Sequence, residues 1–338
     1  MTKYDNTLIR LRRPFFWLGM VAAVWLVVGC ATMGKGNRGT YQSEDYIIQK
    51  LQQDTTPVAL AERFLEDPRR AWVIEEANPG ATYQKGKTVI IPLKDDNRAG
   101  LFREGYQVVP ILCYHRFGAT CRSALCVSET SFRAQLDYLK DNGYRTITLG
   151  ELYDFINYKR AVPLRSVVIT IDDGYRSIYD IAYPLLKEYG FTATMFVYTD
   201  FVGATSLAAS WDQLREMKAA GFEIESHSVS HSDLTLKRKD ESDLDYRQRI
   251  TMELTQSKAI IDRELNQDTR FMAYPYSKYN RWVLAQTAAA GYRLGLTVER
   301  GVNPFFIDAM VLKRSQVLKE DLDYFSSRIA TLHPVTLD

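Results

Sequence analysis

The sequence predicts an α/β fold, most economically a (β/α) barrel, preceded by a small βααβ unit. The first observation is a junction in which a helical stretch ends at glycine and an apolar strand follows. It occurs at NGYRTITL (142–149), YGFTATMFVY (189–198), AGFEIESHS (220–228) and AGYRLGLTV (290–298). The second observation is that these strands are apolar runs, which is typical of buried parallel strands. Helices and buried strands therefore alternate along most of the chain.

Length and composition agree with one barrel-sized domain plus a small one. The chain has 338 residues, of which 46% are hydrophobic and 25% are charged. Its formal net charge of +2 is close to neutral, and no long basic run follows the first residues. We therefore expect no nucleic-acid partner. We expect the protein to be a monomer.

The amino terminus has the pattern of a secretion signal. Basic residues precede an apolar stretch at 14–28, which is too short to span a membrane comfortably. The stretch ends in VVGC, which resembles a bacterial lipobox whose cysteine, here Cys30, is lipidated. The resemblance implies a signal peptide over 1–30 and an envelope protein anchored in the membrane through lipid, at the outer membrane because Ala31 follows. An uncleaved anchor or an ordinary secretion signal is the alternative.

Shifts in composition predict the domain order. A polar linker at 31–43 precedes a small unit at 44–95, and a second linker at 96–106 leads to the barrel domain at 107–330. The small unit has a strand, two helices and the strand KTVIIPL. This order resembles a LysM domain, a module that grips N-acetylglucosamine-containing glycans. A spacer without a ligand is the alternative.

Three cysteines follow Cys30. Cys121 and Cys126 stand close together in the loop-like stretch GATCRSALCVSE. In an oxidising envelope compartment this spacing predicts a small local disulfide. Cys113 lies in the apolar run VVPILCYH and is expected to be a buried core thiol.

Two neighbouring carboxylates, Asp172 and Asp173, follow the β-branched strand VVITI. The carboxyl ends of barrel strands are where active sites gather. Adjacent carboxylates repel each other unless a cation or a shared proton compensates, so the pair favours a metal. Strand alternation points the two side chains in different directions, so one could bind the ion while the other faces a water. The alternative is that Asp173 caps the helix after Gly174.

Two of the four histidines, His227 and His231, follow another apolar strand, in SHSVSHSDL. In an extended chain their rings would lie about 13 Å apart, at roughly 3.3 Å per residue. Zinc needs ligand nitrogens at about 2.0 to 2.1 Å, so a shared metal requires the chain to curl after His227. The serine-rich spacer permits this curl. A surface histidine pair is the alternative.

These motifs resemble those of the polysaccharide deacetylases, the NodB-like carbohydrate esterase family 4. TIDDG (170–174) is similar to the family's TFDDG, and HSVSH (227–231) is similar to its second histidine motif. The resemblance implies a distorted (β/α) barrel. It implies that Asp172 is the general base, and that Asp173, His227 and His231 bind a divalent metal, usually zinc.

The stretch FMAYPYSKYN (271–280) resembles a third family motif. The resemblance implies that the backbone N–H of Tyr276 helps to hold the oxyanion. Ala273 stands where many members have an arginine that orients the base, so the tuning of Asp172 is in question.

The usual histidine that supplies the general acid near the carboxyl terminus is not evident. PILCYHRFG instead places His115 at the end of the first barrel strand. This resembles the subgroup that acts on poly-N-acetylglucosamine, in which that histidine is the acid. His333, in a tail expected to be loose, is the alternative.

The resemblance implies a metal-dependent hydrolase that removes N-acetyl groups from peptidoglycan or poly-N-acetylglucosamine and releases acetate. The LysM-like unit favours peptidoglycan, and the Tyr114-His115 pair favours poly-N-acetylglucosamine. A glycan-binding lipoprotein without activity, or an O-acetyl esterase on a decorated polysaccharide, is the alternative.

Overall fold

The computed structural model describes residues 39–94, 97–318 and 321–335. The predicted signal peptide at 1–30, including Cys30, lies outside these residues. Across the three described ranges, no helix is both long and apolar enough to cross a membrane.

The first described region is a small α/β unit with its own apolar core. Its elements are β1 (Thr40–Gln42), β2 (Tyr46–Lys50), α1 (Pro57–Leu65), α2 (Ala71–Ala77) and β3 (Thr88–Pro92). The strands form an antiparallel sheet in the order β1-β2-β3. Helix α1 begins where the Thr56 hydroxyl accepts the Ala59 N–H. The βααβ order is as predicted, whereas the linker predicted at 31–43 contains β1, which pairs with β2. The LysM resemblance stays a prediction.

The second region contains the remaining helices and strands that the structure describes. The strands are β4 (Leu101–Phe102), β5 (Gly105–Gln107), β6 (Ile111–Tyr114), β7 (Arg116–Gly118), β8 (Cys126–Ser128), β9 (Arg145–Thr146), β10 (Ser166–Ile171), β11 (Thr194–Val197), β12 (Glu223–Ser226), β13 (Phe271–Ala273), β14 (Leu294–Leu296), β15 (Ser315–Gln316) and β16 (Leu332–Pro334). The α-helices are α3 (Glu129–Asp141), α4 (Leu149–Ile156), α5 (Tyr183–Tyr189), α6 (Trp211–Ala219), α7 (Asp243–Leu265), α8 (Arg281–Ala289) and α9 (Leu322–Ser326). A π-helical turn at Ile178–Ala182 leads into α5.

Eight strands of this region form one sheet in which every pairing is parallel. The order is β14-β13-β12-β11-β10-β6-β15, and β9 pairs with the start of β10. From β10 to β14, strands that are consecutive in sequence lie side by side, with a helix in each connection. This half-barrel arrangement confirms the predicted distorted (β/α) barrel.

The junctions between helices and strands are those that the sequence predicts. The glycines that end the four helical stretches all have a positive φ: Gly143, Gly190, Gly221 and Gly291. At Gly190, for example, φ is 69°, a conformation that costs glycine little. Helix α6 begins with a capping box, because the Ser210 hydroxyl accepts the Gln213 N–H and the Gln213 side chain accepts the Ser210 N–H.

Strand β10 is buried along its whole length. Val167 and Ile169 pack in the cluster that includes residues of α3, α5 and α6, whereas Val168 packs in the cluster that includes α4. Successive side chains therefore enter opposite layers of the core. This alternation fixes the strand in place, and Asp172 and Asp173 follow directly at its end.

Two predicted boundaries are wrong. The linker predicted at 96–106 contains β4 and most of β5, and these strands form a separate antiparallel sheet with β16. The carboxyl-terminal tail is therefore a strand, and the second region extends beyond 330. His333 pairs with Tyr106 in this sheet, and their rings lie 5.0 Å apart. Strands this short carry no readable periodicity in the sequence.

Candidate metal and catalytic centre

Asp172 is clamped by a buried arginine. Arg314 Nη1 donates to Asp172 Oδ1 and Nη2 donates to Oδ2, both at 2.7 Å. Both side chains are buried, with exposed fractions of 0% for Arg314 and 3% for Asp172. The guanidinium also donates to the Thr170 hydroxyl at 3.0 Å and to the Thr297 carbonyl at 2.8 Å. A bidentate pair of this kind fixes both the position and the plane of the carboxylate.

The clamp keeps Asp172 ionised. Burial acts to raise the pKa of Asp172, but the Arg314 guanidinium and then His227 outweigh it, so the pKa lies below its ordinary value. Asp172 is thus a buried carboxylate that carries its charge at neutral pH. A positioned carboxylate in this state suits the role of a general base.

Arg314 is the site residue that the sequence analysis missed. It directly precedes β15, which pairs with β6, and this pairing carries it to the base from 142 residues away in the chain. Ala273 could have indicated such a residue, because it stands where many members of the resembling family have an arginine that orients the base. A buried general base without that arginine needs a cation from elsewhere.

Cys113 lies against the same carboxylate. Its Sγ is 3.5 Å from Asp172 Oδ2, and the side chain is fully buried. Burial raises the pKa of the thiol well above its ordinary value, so the group is a neutral donor. Donor atoms of Cys113, His115 and Asp172 lie within 4.8 Å of one another. Because Arg314 already compensates the Asp172 charge, this cluster is a poor metal site.

Asp173 belongs to a second cluster, with His227 and His231. Asp173 Oδ1 is 3.6 Å from His227 Nε2 and 3.4 Å from His231 Nε2. The backbone of Asp173 is left-handed, with φ 77°, and the N-cap position of the π-helical turn that follows is Ser177, which makes no side-chain cap bond. Asp173 therefore does not cap that helix. The two carboxylates point to different partners, as strand alternation predicts.

The chain curls between the two histidines, as a shared metal requires. Ser228 and His231 have φ values of 73° and 57°, and the Ser228 hydroxyl accepts the His231 N–H at 3.1 Å. Glu253 of α7 accepts the N–H groups of Val229 and Ser230, both at 2.9 Å. The two rings end 4.7 Å apart instead of at the separation of an extended chain. Glu253, which the sequence analysis missed, holds this turn.

His227 has a fixed proton position. Its Nδ1 lies 2.7 Å from the Ala273 carbonyl oxygen, an acceptor, so Nδ1 carries the proton and Nε2 presents its lone pair to Asp173. This hydrogen bond to the outer ring nitrogen is the arrangement that orients histidine ligands in metalloproteins.

The charges of this cluster fit a divalent cation. Burial, opposed by Asp172, lowers the pKa of His227 to about 3 and also lowers that of His231, so both rings are neutral. Burial and then the Asp172 charge raise the pKa of Asp173 to about 7, although Arg314 and Arg116 oppose the shift. Tetrahedral ligands at about 2.0 to 2.2 Å from zinc lie roughly 3.3 to 3.6 Å apart. The distances to Asp173 Oδ1 match this spacing.

His115 lies beside the base. Its pKa is lowered by burial, which the Asp172 charge opposes. The ring is half-buried at the end of β6, next to β10 in the sheet. His333, the alternative, lies with β5, which precedes β6, and so belongs to the opposite end of the sheet. The structure brings His115 to the site and leaves His333 away from it.

Tyr276 faces the histidine cluster. Its backbone is left-handed, with φ 56°, its side chain is 61% exposed, and its ring lies 4.6 Å from that of His231. The Tyr198 ring lies 5.1 Å from His231 on another side. Tyr114 and Tyr274 stand in the motif stretches of the sequence, but they are only 1% exposed and belong to the core, so they cannot stack on a sugar.

Comparisons with known proteins identify relatives of this chain. The family model described as polysaccharide deacetylase matches residues 159–295. YxkH of Bacillus subtilis, which is named as a polysaccharide deacetylase, is 32% identical over 230 residues, covering 67% of this chain and 78% of that protein.

A Staphylococcus aureus poly-beta-1,6-N-acetyl-D-glucosamine N-deacetylase is 31% identical over 186 residues. The match covers 53% of this chain and 63% of that protein, so the chain spans under two thirds of its length. Among solved structures, the Streptococcus pyogenes deacetylase PplD in complex with acetate superposes with a TM-score of 0.60 at 28% identity. The superposition covers 66% of this chain and 98% of PplD. The chain therefore belongs to the polysaccharide deacetylase family.

Proposed function

We propose that this protein is a metal-dependent hydrolase that removes N-acetyl groups from an N-acetylglucosamine-containing polysaccharide and releases acetate. The observation that carries the proposal is the division of two adjacent carboxylates between two environments. Asp172 is held ionised by Arg314, and Asp173 faces two neutral imidazoles. One acidic side chain is thus available as a base and the other as a ligand.

Asp173, His227 and His231 would hold the ion, and zinc suits this set of one carboxylate and two imidazoles. When bound there, a divalent ion would acidify a water and polarise the carbonyl of the acyl group. His227 is already oriented by the Ala273 carbonyl, so the site is organised before the ion binds.

The other residues supply the proton transfers. Asp172 takes the proton of the water that attacks the N-acetyl carbonyl, and Arg314 keeps Asp172 charged and in plane until that step. The Tyr276 N–H donates to the oxyanion that forms, and one such donor contributes about 3 to 4 kcal/mol to lowering the barrier. His115, which has a ring nitrogen within 4.8 Å of an Asp172 carboxylate oxygen, receives the proton that Asp172 takes from the water and passes it to the amine nitrogen as the C–N bond breaks.

The substrate is proposed to be poly-N-acetylglucosamine or the glycan of peptidoglycan. The name of the Staphylococcus aureus relative supports the first for that protein, and the Tyr114-His115 strand end supports it for this chain. The LysM-like order of the small unit supports the second.

The test is acetate release by the full-length protein from four substrates. These are a β-1,6-linked N-acetylglucosamine oligomer, a chitooligosaccharide, a peptidoglycan glycan fragment and acetylated xylan. Asp172→Asn is the matched control, because it keeps the shape of the side chain but removes the base. We expect release from at least one N-acetylated glycan and its near-complete loss in the variant. Release from acetylated xylan alone would identify an O-acetyl esterase, and no release from any substrate would identify a binding protein.

We also propose that the protein is lipid-anchored in the bacterial cell envelope through Cys30. The disulfide between Cys121 and Cys126 supports an oxidising compartment. Replacing Cys30 with alanine should release the protein from the membrane fraction. Unchanged membrane association would contradict lipid anchoring.

A further inference from the structure

A groove of about 710 Å³ is lined by close sequence neighbours of the proposed site residues. Its walls come from β7, the loop that follows β7 and the start of the helix after β10. Arg116 follows the proposed acid His115 directly in the chain, and Tyr175 stands two residues after Asp173. The groove is therefore built from residues that adjoin His115 and Asp173 in the chain. We call it the arginine groove, after Arg116, Arg122 and Arg176 in its lining.

The charges in the arginine groove do not cancel. Asp180 is its single acidic lining residue, and it pairs with Arg176 at 3.2 Å. Within the described part of the chain, neither Arg116 nor Arg122 has a carboxylate oxygen within 4.0 Å. Arg116 instead lies over the Tyr175 ring, 5.2 Å from its centroid. The guanidinium groups of Arg116 and Arg122 therefore line the groove without a direct ion pair.

The arginines are held by local structure. Arg116 pairs with Cys126 across β7 and β8, and its N–H donates to the Leu125 carbonyl at 3.0 Å. Arg122 lies inside the short loop that the Cys121–Cys126 disulfide closes. A closed loop and a strand pairing limit how far both backbones can move, so binding would order few additional residues. The Cys121–Cys126 disulfide, which takes no part in the proposed catalysis, thus restrains the loop that carries Arg122.

We propose that the arginine groove is a subsite for an anionic substituent, a carboxylate or a phosphate, on the sugar next to the one that loses its acetyl group. This deepens the proposed function and rests on it. Guanidinium groups bind carboxylate and phosphate oxygens through paired hydrogen bonds, which neutral sugar hydroxyls do not reproduce. The same charges repel a glucosammonium neighbour. The enzyme would therefore prefer an anionic glycan, and would disfavour a sugar beside one already deacetylated.

The test measures binding and turnover with matched glycans. The substrates are an N-acetylglucosamine tetrasaccharide with a lactyl carboxylate on alternate sugars, its methyl ester, and a chitotetraose that carries a 6-phosphate. Affinity is measured by calorimetry with the metal-loaded Asp172→Asn protein, which binds without turnover. Acetate release is measured with the wild-type protein. Comparing the affinities of the lactyl carboxylate and the 6-phosphate glycans shows which anionic group the groove prefers.

We expect the free carboxylate or the phosphate to bind about fivefold to tenfold more tightly than the methyl ester. Arg122→Gln in the same background should reduce this ratio to about two or less, and raised salt should do the same. Arg176→Gln combined with Asp180→Asn is the matched control: it removes an ion pair whose charges already cancel, so the net charge of the groove is kept. Its ratio should stay close to that of the parent protein.

Equal affinity for the carboxylate, its ester and the phosphate would overturn the subsite. So would equal effects on the ratio of Arg122→Gln and of the double variant Arg176→Gln with Asp180→Asn. Failure of the proposed function has a different signature, because the wild-type protein would then release no acetate from any of the three glycans. The affinity ratio still reports on the groove in that case.

Discussion

The two ends of the parallel sheet bury acidic side chains in different ways. Toward the amino end, Glu223 accepts the N–H groups of Leu149 and Gly150, at the start of α4, at 2.8 and 3.0 Å. Glu225 accepts two further backbone N–H groups, both at 2.8 Å, at the start of β13. At the carboxyl end, Asp173 faces two imidazole nitrogens at 3.4 and 3.6 Å, which are beyond hydrogen-bond distance.

Burial of a carboxylate therefore does not by itself mark a functional site. The glutamates at the amino end are satisfied by backbone donors, so they stabilise the ends of α4 and β13. Asp173 and the Nε2 of His227 present acceptors to each other, which leaves room for a cation between them. The left-handed backbone at Asp173 and His231 adds strain on the same side. Unmatched acceptors and strain together distinguish the carboxyl end.

The largest expected effect separates the two neighbouring aspartates. Both Asp172→Asn and Asp173→Asn should lower acetate release by about 10³-fold, because one removes the base and the other a metal ligand. Metal content should differ between them. Asp172→Asn should retain one bound ion per chain after dialysis, whereas Asp173→Asn should retain far less. Equal metal content in the two variants would remove the distinction on which the comparison depends.

The next effect concerns the Arg314 clamp. Arg314→Met leaves Asp172 buried without its cation and should destabilise the fold by about 3 to 5 kcal/mol, measured by denaturant unfolding. Burial then raises the Asp172 pKa, so the acidic limb of the activity profile should move to higher pH. The matched control is Asp172→Asn with Arg314→Met, which removes both charges and should cost less stability than Arg314→Met alone. A double variant no more stable than the single one would contradict this account.

At the amino end, Glu225→Gln should change stability but not catalysis. Burial and then the Glu223 charge raise the pKa of Glu225 well above its ordinary value. The folded state therefore holds this proton more tightly than the unfolded chain. Its contribution to stability is full below the unfolded pKa and is lost as pH rises through the folded pKa.

Glu225→Gln should consequently flatten the decline in unfolding free energy toward alkaline pH, by on the order of 1 kcal/mol. Its kcat/KM should stay within about twofold of the wild-type value. Loss of activity without a change in stability would place Glu225 among the functional groups and break the contrast between the two ends.

The smallest effect is expected at Tyr276. The proposed oxyanion donor is its backbone N–H, so Tyr276→Phe should change kcat by no more than about twofold. Tyr276→Ala also removes a ring that lies 4.6 Å from His231 and is mostly exposed, and should raise KM more than it lowers kcat. A large fall in kcat for Tyr276→Phe would assign the chemistry to the phenol instead.

The sequence predicted the parts of the molecule that have local signals. The glycine junctions are local because helix caps and buried strands are adjacent in the chain. The two aspartates and two histidines lie in short motifs at strand ends, so their types and spacing were readable. The disulfide spans only a sequence separation of five.

The parts that the sequence did not predict depend on distant pairing. Arg314 reaches Asp172 because β15 pairs with β6, and no local pattern shows that partnership. Strand β16 pairs with β5 at the far end of the second region, and its three residues are too few for a periodic signal. In the sequence Glu253 is an ordinary helical residue. Only the packing of α7 beside the loop after His227 lets Glu253 accept the N–H of Val229.

The central claim is that one divalent ion held by Asp173, His227 and His231 supports acetate release. The most direct measurement is acetate release by chelator-treated protein during titration with zinc. We expect a negligible rate of acetate release without metal. The rate should then rise with added zinc and reach its maximum at about one ion per chain, as expected for one site. Full activity in the metal-free protein, or no activity at any zinc concentration on a substrate that the untreated enzyme deacetylates, would contradict the central claim.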